Sequence, residues 1–87
     1  MSIKKLEELE TNQVYVIKDT QFGKEFDVRC LGNYLNIGDK VYFTRIGRGE
    51  ETVESLHEKF QNNRLPNVFV CWDFMVNSSY IINKKVV

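Results

Sequence analysis

The chain has 87 residues and a formal net charge of zero, from 12 basic and 12 acidic side chains. That length makes one domain, residues 1–87, with a modest core, and the neutral balance supplies no global field to attract DNA or an anionic membrane. No apolar run approaches a bilayer span and nothing after Met1 resembles a secretory signal, so the expected compartment is the reducing cytoplasm.

Ser2 is suited to cap a short helix from Ile3 to about Glu10, with Ile3, Leu6 and Leu9 on one face. Two turns are marginal alone, so this helix has to dock on the sheet or fray. Val14 to Lys18 is β-branched and reads as the first strand. Asp19 to Lys24, with Gly23, makes a hairpin connection that carries Phe22 at its tip. Glu25 to Leu31 alternates cleanly, Phe26, Val28 and Cys30 against Glu25, Asp27 and Arg29, as a strand with one wet face does. Turns at Gly32-Asn33 and Asn36 to Asp39 lead to a third strand, Lys40 to Ile46, in which Val41 with Phe43 and Tyr42 with Thr44 and Ile46 are both plausible core sets.

Gly47-Arg48-Gly49 ends that strand. Glu51 to Gln61 follows with Val53, Leu56 and Phe60 on one side, an amphipathic helix with an acidic first turn that Asn62 and Asn63 are suited to stop. After Leu65-Pro66-Asn67, Val68 to Met75 holds the single tryptophan and reads as a central strand buried on both faces, with only Asp73 polar. Its better core face is Val68, Val70, Trp72 and Phe74. The opposite face, Phe69, Cys71, Asp73 and Met75, is structure if Ile3, Leu6 and Leu9 cover it and an interface if they do not. A turn at Asn77 to Ser79 then returns Tyr80 to Val87 as a last strand antiparallel to it.

The expected fold is α+β, mainly β: a five-stranded antiparallel small barrel or curved sheet with a helix between strands three and four and an extra short N-terminal helix. That chain order is OB-like. Strand order in space is not readable from the sequence, so an SH3-like barrel or a sheet with two helices on one face stay open.

Chemistry is thinly represented. One histidine and two cysteines about forty positions apart leave no structural metal site, and no cofactor motif is present. Cys71, His57 and Asp73 are the only residues from which a thiol nucleophile, base and orienting group could be drawn, and Cys71 sits among packing residues with nothing to lower its pKa. Gly47-x-Gly49 lacks the full glycine pattern and lysine of a phosphate loop and is followed by Glu50, Glu51 and Glu54. A disulfide between Cys30 and Cys71 is geometrically allowed but unexpected in a reducing compartment. The expectation is a protein that is not an enzyme.

Two binding readings follow. Residues 1–12 carry a net charge of −1 and residues 49–61 of −3, so the strand-rich remainder is +4. An OB-type groove built from Arg29, Lys40, Tyr42, Arg45 and Arg48, with Phe22 and Lys24 from the first loop, would bind single-stranded nucleic acid. Glu25 and Asp27 on the same face oppose it. Eleven aromatics are many for so small a core, so some of Phe22, Tyr34, Tyr42, Phe69, Trp72 and Tyr80 are expected to be partly exposed as anchors for a protein partner. A protein partner is the preferred reading, and the apolar last strand offers an edge for a homodimer. Alanine is absent, and Phe, Tyr, Met, Ile, Asn and Lys total 34 residues against 10 for Gly, Ala, Arg and Pro. An AT-rich genome is the simplest cause, and a small phage or mobile-element protein that inhibits a host or defence protein fits it.

Overall fold

The computed structural model of the chain describes residues 2–34 and 38–86. Five strands, β1 (Val14–Asp19), β2 (Glu25–Gly32), β3 (Lys40–Arg45), β4 (Phe69–Trp72) and β5 (Tyr80–Lys84), form one strongly curled antiparallel sheet, with a single α-helix, α1 (Val53–Gln61), between β3 and β4. The chain order is the one expected from the sequence. The hydrogen-bonded order is β4-β3-β2-β1-β5. Four strands therefore run as a meander and the fifth returns beside the first, which is the arrangement of an SH3-like barrel and not the Greek-key return of an OB-fold.

The curl makes two cores from one sheet. Tyr15, Ile17, Val28, Cys30, Val41, Phe43, Cys71 and Ile82 fill the concave side. On the convex side α1 lays Leu56, Val53 and Phe60 over Leu31, Tyr42, Val68 and Val70. The two possible core sets of β3 are thus both buried within the strand, Val41 and Phe43 inward, Tyr42 and Thr44 outward, because that strand is covered on each face, while Ile46, expected with the second set, lies past the strand end and is half-buried.

Position 32 is where β2 changes register against β3, between Cys30 and Gly32. Gly32 has φ +81°, and a Cβ there would lie 2.8 Å from Thr11 Oγ1, so both backbone and space demand glycine.

Three expected elements differ. The N-terminal helix is reduced to a single 3-10 turn, Leu6–Glu8. Ser2 does not cap it but bridges Asn83, and the Ile3 amide donates to the Ile82 carbonyl at 2.7 Å. Pairing with a strand edge satisfies backbone groups that a two-turn helix would leave to water. Leu6 still docks as expected, buried in the concave core with Ile3 and Leu9 packed beside it.

The stretch read as a central strand is a short edge strand. Only Phe69–Trp72 pairs, with β3, and Asp73–Met75 turns off as a second 3-10 turn. Apolar side chains on both faces point to a central position in a flat sheet, but in a curled sheet with a helix outside, an edge strand is covered on both sides too. The expected core face holds at Val68 and Val70, which pack under α1 with Leu56 and Phe60, and fails at its other two members. Cys71, with Phe69 and Met75, packs in the concave core beside Ile3, Leu6 and Leu9, whereas Trp72 and Phe74 are exposed.

The last strand pairs with β1, not with β4. The turn before it is pinned from afar: Thr20 Oγ1 donates to the Ser78 carbonyl at 2.8 Å and Asn77 Nδ2 to the Ile3 carbonyl at 3.2 Å. These side-chain bonds hold the chain at the β1 end of the sheet, where Tyr80 meets Asp19. Val87, expected in this strand, lies outside the described residues, as do Asn36 and Ile37 of the expected turn before β3.

The α1 boundaries are chemical. The helix starts at Val53, two residues after the expected Glu51, with Thr52 as its N-cap: the Ser55 amide donates to Thr52 Oγ1 at 3.0 Å and the Thr52 amide to Ser55 Oγ at 2.7 Å, a reciprocal capping box. At the other end Asn63 takes φ +54°, and the Arg64 and Asn63 amides donate to the Lys59 and Phe60 carbonyls, a Schellman stop.

Candidate functional site

The outer face beyond α1 carries a short exposed strip. Lys40, the first residue of β3, is paired across the sheet with Trp72, the last of β4, and both project to the convex side. The Lys40 ammonium lies 5.1 Å from the Trp72 ring centroid and 5.7 Å from that of Tyr42, a cation–π arrangement that uses up the lysine locally. Trp72 is 37% exposed and Phe74, two residues on, is 73% exposed. The 3-10 turn explains Phe74. It breaks the two-residue alternation after Trp72, so a side chain that a continuous strand would have sent toward α1 faces solvent instead. Asp73 was the readable signal, since aspartate is disfavoured within strands.

The other residues singled out from the sequence do not converge. Phe22 is 71% exposed at the β1–β2 turn, which Asp19 Oδ1 organises by accepting from the Gln21 and Phe22 amides. Tyr42 is buried under α1 against Phe60, with ring centroids 5.6 Å apart. Phe69 is half-buried against the concave core, the hub of a cluster with Phe26, Phe43 and Tyr80. Arg45 lies over the Phe26 ring at 4.9 Å. Arg29 donates to the Asn12 carbonyl at 3.0 Å and pairs with Glu50 at 3.8 Å. Arg48 is exposed in the turn before α1, where its carbonyl accepts from Asn67 Nδ2. Tyr34 meets His57 edge-on and Phe60 at a tilt, and Tyr80 is half-buried. The β2–β3 face on which an OB-type groove would stack bases is therefore covered at Tyr42, and its arginines are dispersed among local partners.

The thiol constellation is likewise taken apart. His57 sits on α1 against Tyr34, outside the sheet, while Cys71 is fully buried on its concave side. Burial pushes the Cys71 thiol up to about 11, with the nearby Asp73 charge adding to the rise, and burial does the same to Cys30. β3 lies between the strands that carry the two cysteines, so their backbones are two inter-strand spacings apart, about 9 Å, too far for a disulfide.

One buried ionic cluster escaped the sequence reading. Glu51 is 4% exposed and its carboxylate accepts from Lys59 Nζ at 2.6 Å, the Asn67 amide at 2.6 Å and Ser55 Oγ at 2.8 Å. Its own amide donates to Thr44 Oγ1 at 2.9 Å. Hydrogen bonds from Lys59 and then Asn67 hold its pKa down to about 2. The cluster fastens α1 to the sheet. Each of its members has a partner within the fold, and this marks it as structural.

No family model, no curated protein and no solved structure matches the chain. Among the described residues no helix is long and apolar enough to cross a membrane, and no group of three or more His, Cys, Asp or Glu is placed to hold a metal ion.

Proposed function

We propose that the protein is a non-enzymatic binding module that docks a protein partner through Trp72 and Phe74. The observation that supports this reading is the exposure of two aromatic rings within three positions at the end of β4, held on a hydrogen-bonded turn. An exposed aromatic pair beside a cation is the composition of an interface anchor, and ordering it in advance lowers the entropy lost on binding. A nucleic-acid role is less well supported, because Tyr42 lies under α1 and Arg29 and Arg45 have local partners.

The composition extends the reading to a phage or mobile-element accessory protein or inhibitor that occupies a surface on a host or defence protein. Self-association through the last strand is the weaker version, since Ser2 and Ile3 already occupy part of the outer edge of β5. The test is affinity capture from a bacterial lysate, treated or untreated with nuclease, using the wild-type chain and a Trp72→Ala/Phe74→Ser variant. A protein retained by the wild type in both lysates and lost by the variant supports the reading. Retention that depends on nucleic acid, or that the variant preserves, overturns it.

A further inference from the structure

The two outer edges of the sheet are treated differently by the chain. Along β5, Ser2 and Ile3 bridge to Asn83 and Ile82, and Lys84 and Lys85 stand at its end. Cover and charge are the usual protections of a strand edge. β4 pairs only with β3, and its far side meets no strand among the described residues. Val68 to Trp72 also carries no charge and no proline. The register says which groups this bare edge offers. The Asp73 amide donates to the Asp39 carbonyl at 2.8 Å, so the alternation of an antiparallel ladder turns the backbone of Cys71 and Phe69 toward β3 and that of Trp72 and Val70 away from it. The other side of β3 agrees: the Ile46 amide donates to the Asp27 carbonyl, which gives Thr44 and Tyr42 to β2 and leaves Phe43 and Val41 for β4. Among the described residues the outward amides of Val70 and Trp72 have no acceptor, and the Trp72 carbonyl receives only the Cys71 thiol at 3.7 Å.

We propose that β4 pairs antiparallel with β4 of a second copy of the chain, about a two-fold axis at Val70, joining two sheets at their bare edges. In that register Val70 faces its own counterpart and exchanges both hydrogen bonds with it, and Trp72 of each copy faces Val68 of the other, with these side chains on the convex side. The exposed Trp72 ring gains an apolar cross-strand neighbour. Charge selects a second copy as the occupant. A charged strand sets like against like when it pairs with itself, whereas this one is neutral, and the nearest charge, Asp73, falls at the level of Asn67. The whole chain likewise has no net charge to hold copies apart. A contact built on so short a strand belongs at the small end of interface sizes, so the dimer is a weak one. It does not rest on the capture of a protein through Trp72 and Phe74.

The test is sedimentation velocity from about 10 µM to about 1 mM, the range in which weak association shows, with amide hydrogen exchange of the ¹⁵N-labelled chain read at both ends. The average mass of the wild type is expected to rise from 10.3 kDa toward twice that value. The Val70 and Trp72 amides should exchange several-fold more slowly at the high concentration, while Lys84, on the β5 edge, stays unchanged. Val70→Pro removes an outward donor and spares the bonds to β3, because an edge strand accepts proline where its N–H faces away from the sheet, and it should be monomeric throughout. Val70→Thr, which keeps the N–H, should still dimerise. A wild type that stays monomeric at about 1 mM overturns the proposal and leaves the edge to a strand of another protein. A dimer that Val70→Pro leaves intact overturns it too, as does one that protects Lys84 in place of Val70 and Trp72. The exchange measurement is made on the wild-type chain, so it decides the matter even where Val70→Pro does not fold. None of these outcomes bears on protein capture through Trp72 and Phe74.

Discussion

Lys59 Nζ lies 2.6 Å from Glu51 Oε2, and the same oxygen accepts from the Asn67 amide, so one carboxylate joins the chain entering α1, the last turn of α1 and the chain leaving it. A buried carboxylate is tolerable only when it is paired and hydrogen-bonded, and here both of its oxygens accept, three bonds in all. Removing it strands the Asn67 amide and a lysine that is only partly exposed. Glu51→Ala is expected to cost about 2–4 kcal/mol, read as a lowered urea midpoint with an unchanged slope.

The same carboxylate sets an acid limit. Its pKa is held at about 2 in the fold, against an ordinary 4.5, so its contribution to stability is complete above the unfolded value and is lost as pH falls through the folded one. Urea midpoints should therefore fall between about pH 4.5 and 2 by the equivalent of roughly 3 kcal/mol, less whatever other carboxylates add or subtract. In Glu51→Gln that share of the acid dependence should disappear. A wild-type and a variant profile of the same shape would show that the shift belongs to other groups.

Gly32→Ala should destabilise for two separable reasons, the positive φ and the 2.8 Å approach of Thr11 Oγ1. A left-handed backbone with a Cβ costs about 1–2 kcal/mol, and the overlap adds to it. Thr11→Ala in the same chain should restore only the second part, so a double-mutant cycle is expected to show coupling.

The aromatic residues should divide sharply. Phe69→Ala removes the hub that touches Phe26, Phe43 and Tyr80 and is expected to cost about 3–5 kcal/mol. Phe22→Ser and Phe74→Ser expose nothing that is now covered and should stay within about 0.5 kcal/mol of wild type. Thermal or urea unfolding of the three variants checks the division, and the neutrality of Phe74→Ser is what allows it to serve in the capture experiment.

Cys30 and Cys71, with thiols pushed up to about 11 and no solvent contact, should react with iodoacetamide at pH 8 about 100-fold or more slowly in the native chain than in denaturant. Rapid native labelling of Cys71 would reopen the thiol chemistry that its burial closes.

The elements of this protein are local facts. β-branched runs and alternation mark β1, β2 and β3, an i, i+3, i+7 stripe marks α1, and Asn62 and Asn63 end it, because strand propensity, periodicity and cap chemistry act within a few residues of each other. What surrounds an element is not local. Val68 to Met75 carries apolar side chains on both faces whether its cover is two neighbouring strands or a barrel interior and a helix, and only the curl of the sheet decides for the second. The same holds at Trp72 and Phe74. Their exposure follows from a 3-10 turn at Asp73 and from how far α1 reaches, and both depend on contacts between segments distant in sequence. Sequence by itself determined that five segments become strands and that the stretch ending at Gln61 becomes the helix, but not that the N-terminal helix shrinks to a 3-10 turn or that β4 stops at Trp72. Tertiary structure alone decided that β5 closes on β1, that Glu51 is buried and paired, and which aromatic rings are left facing water, because each of these is set by long-range hydrogen bonds and packing that no window of neighbouring residues contains.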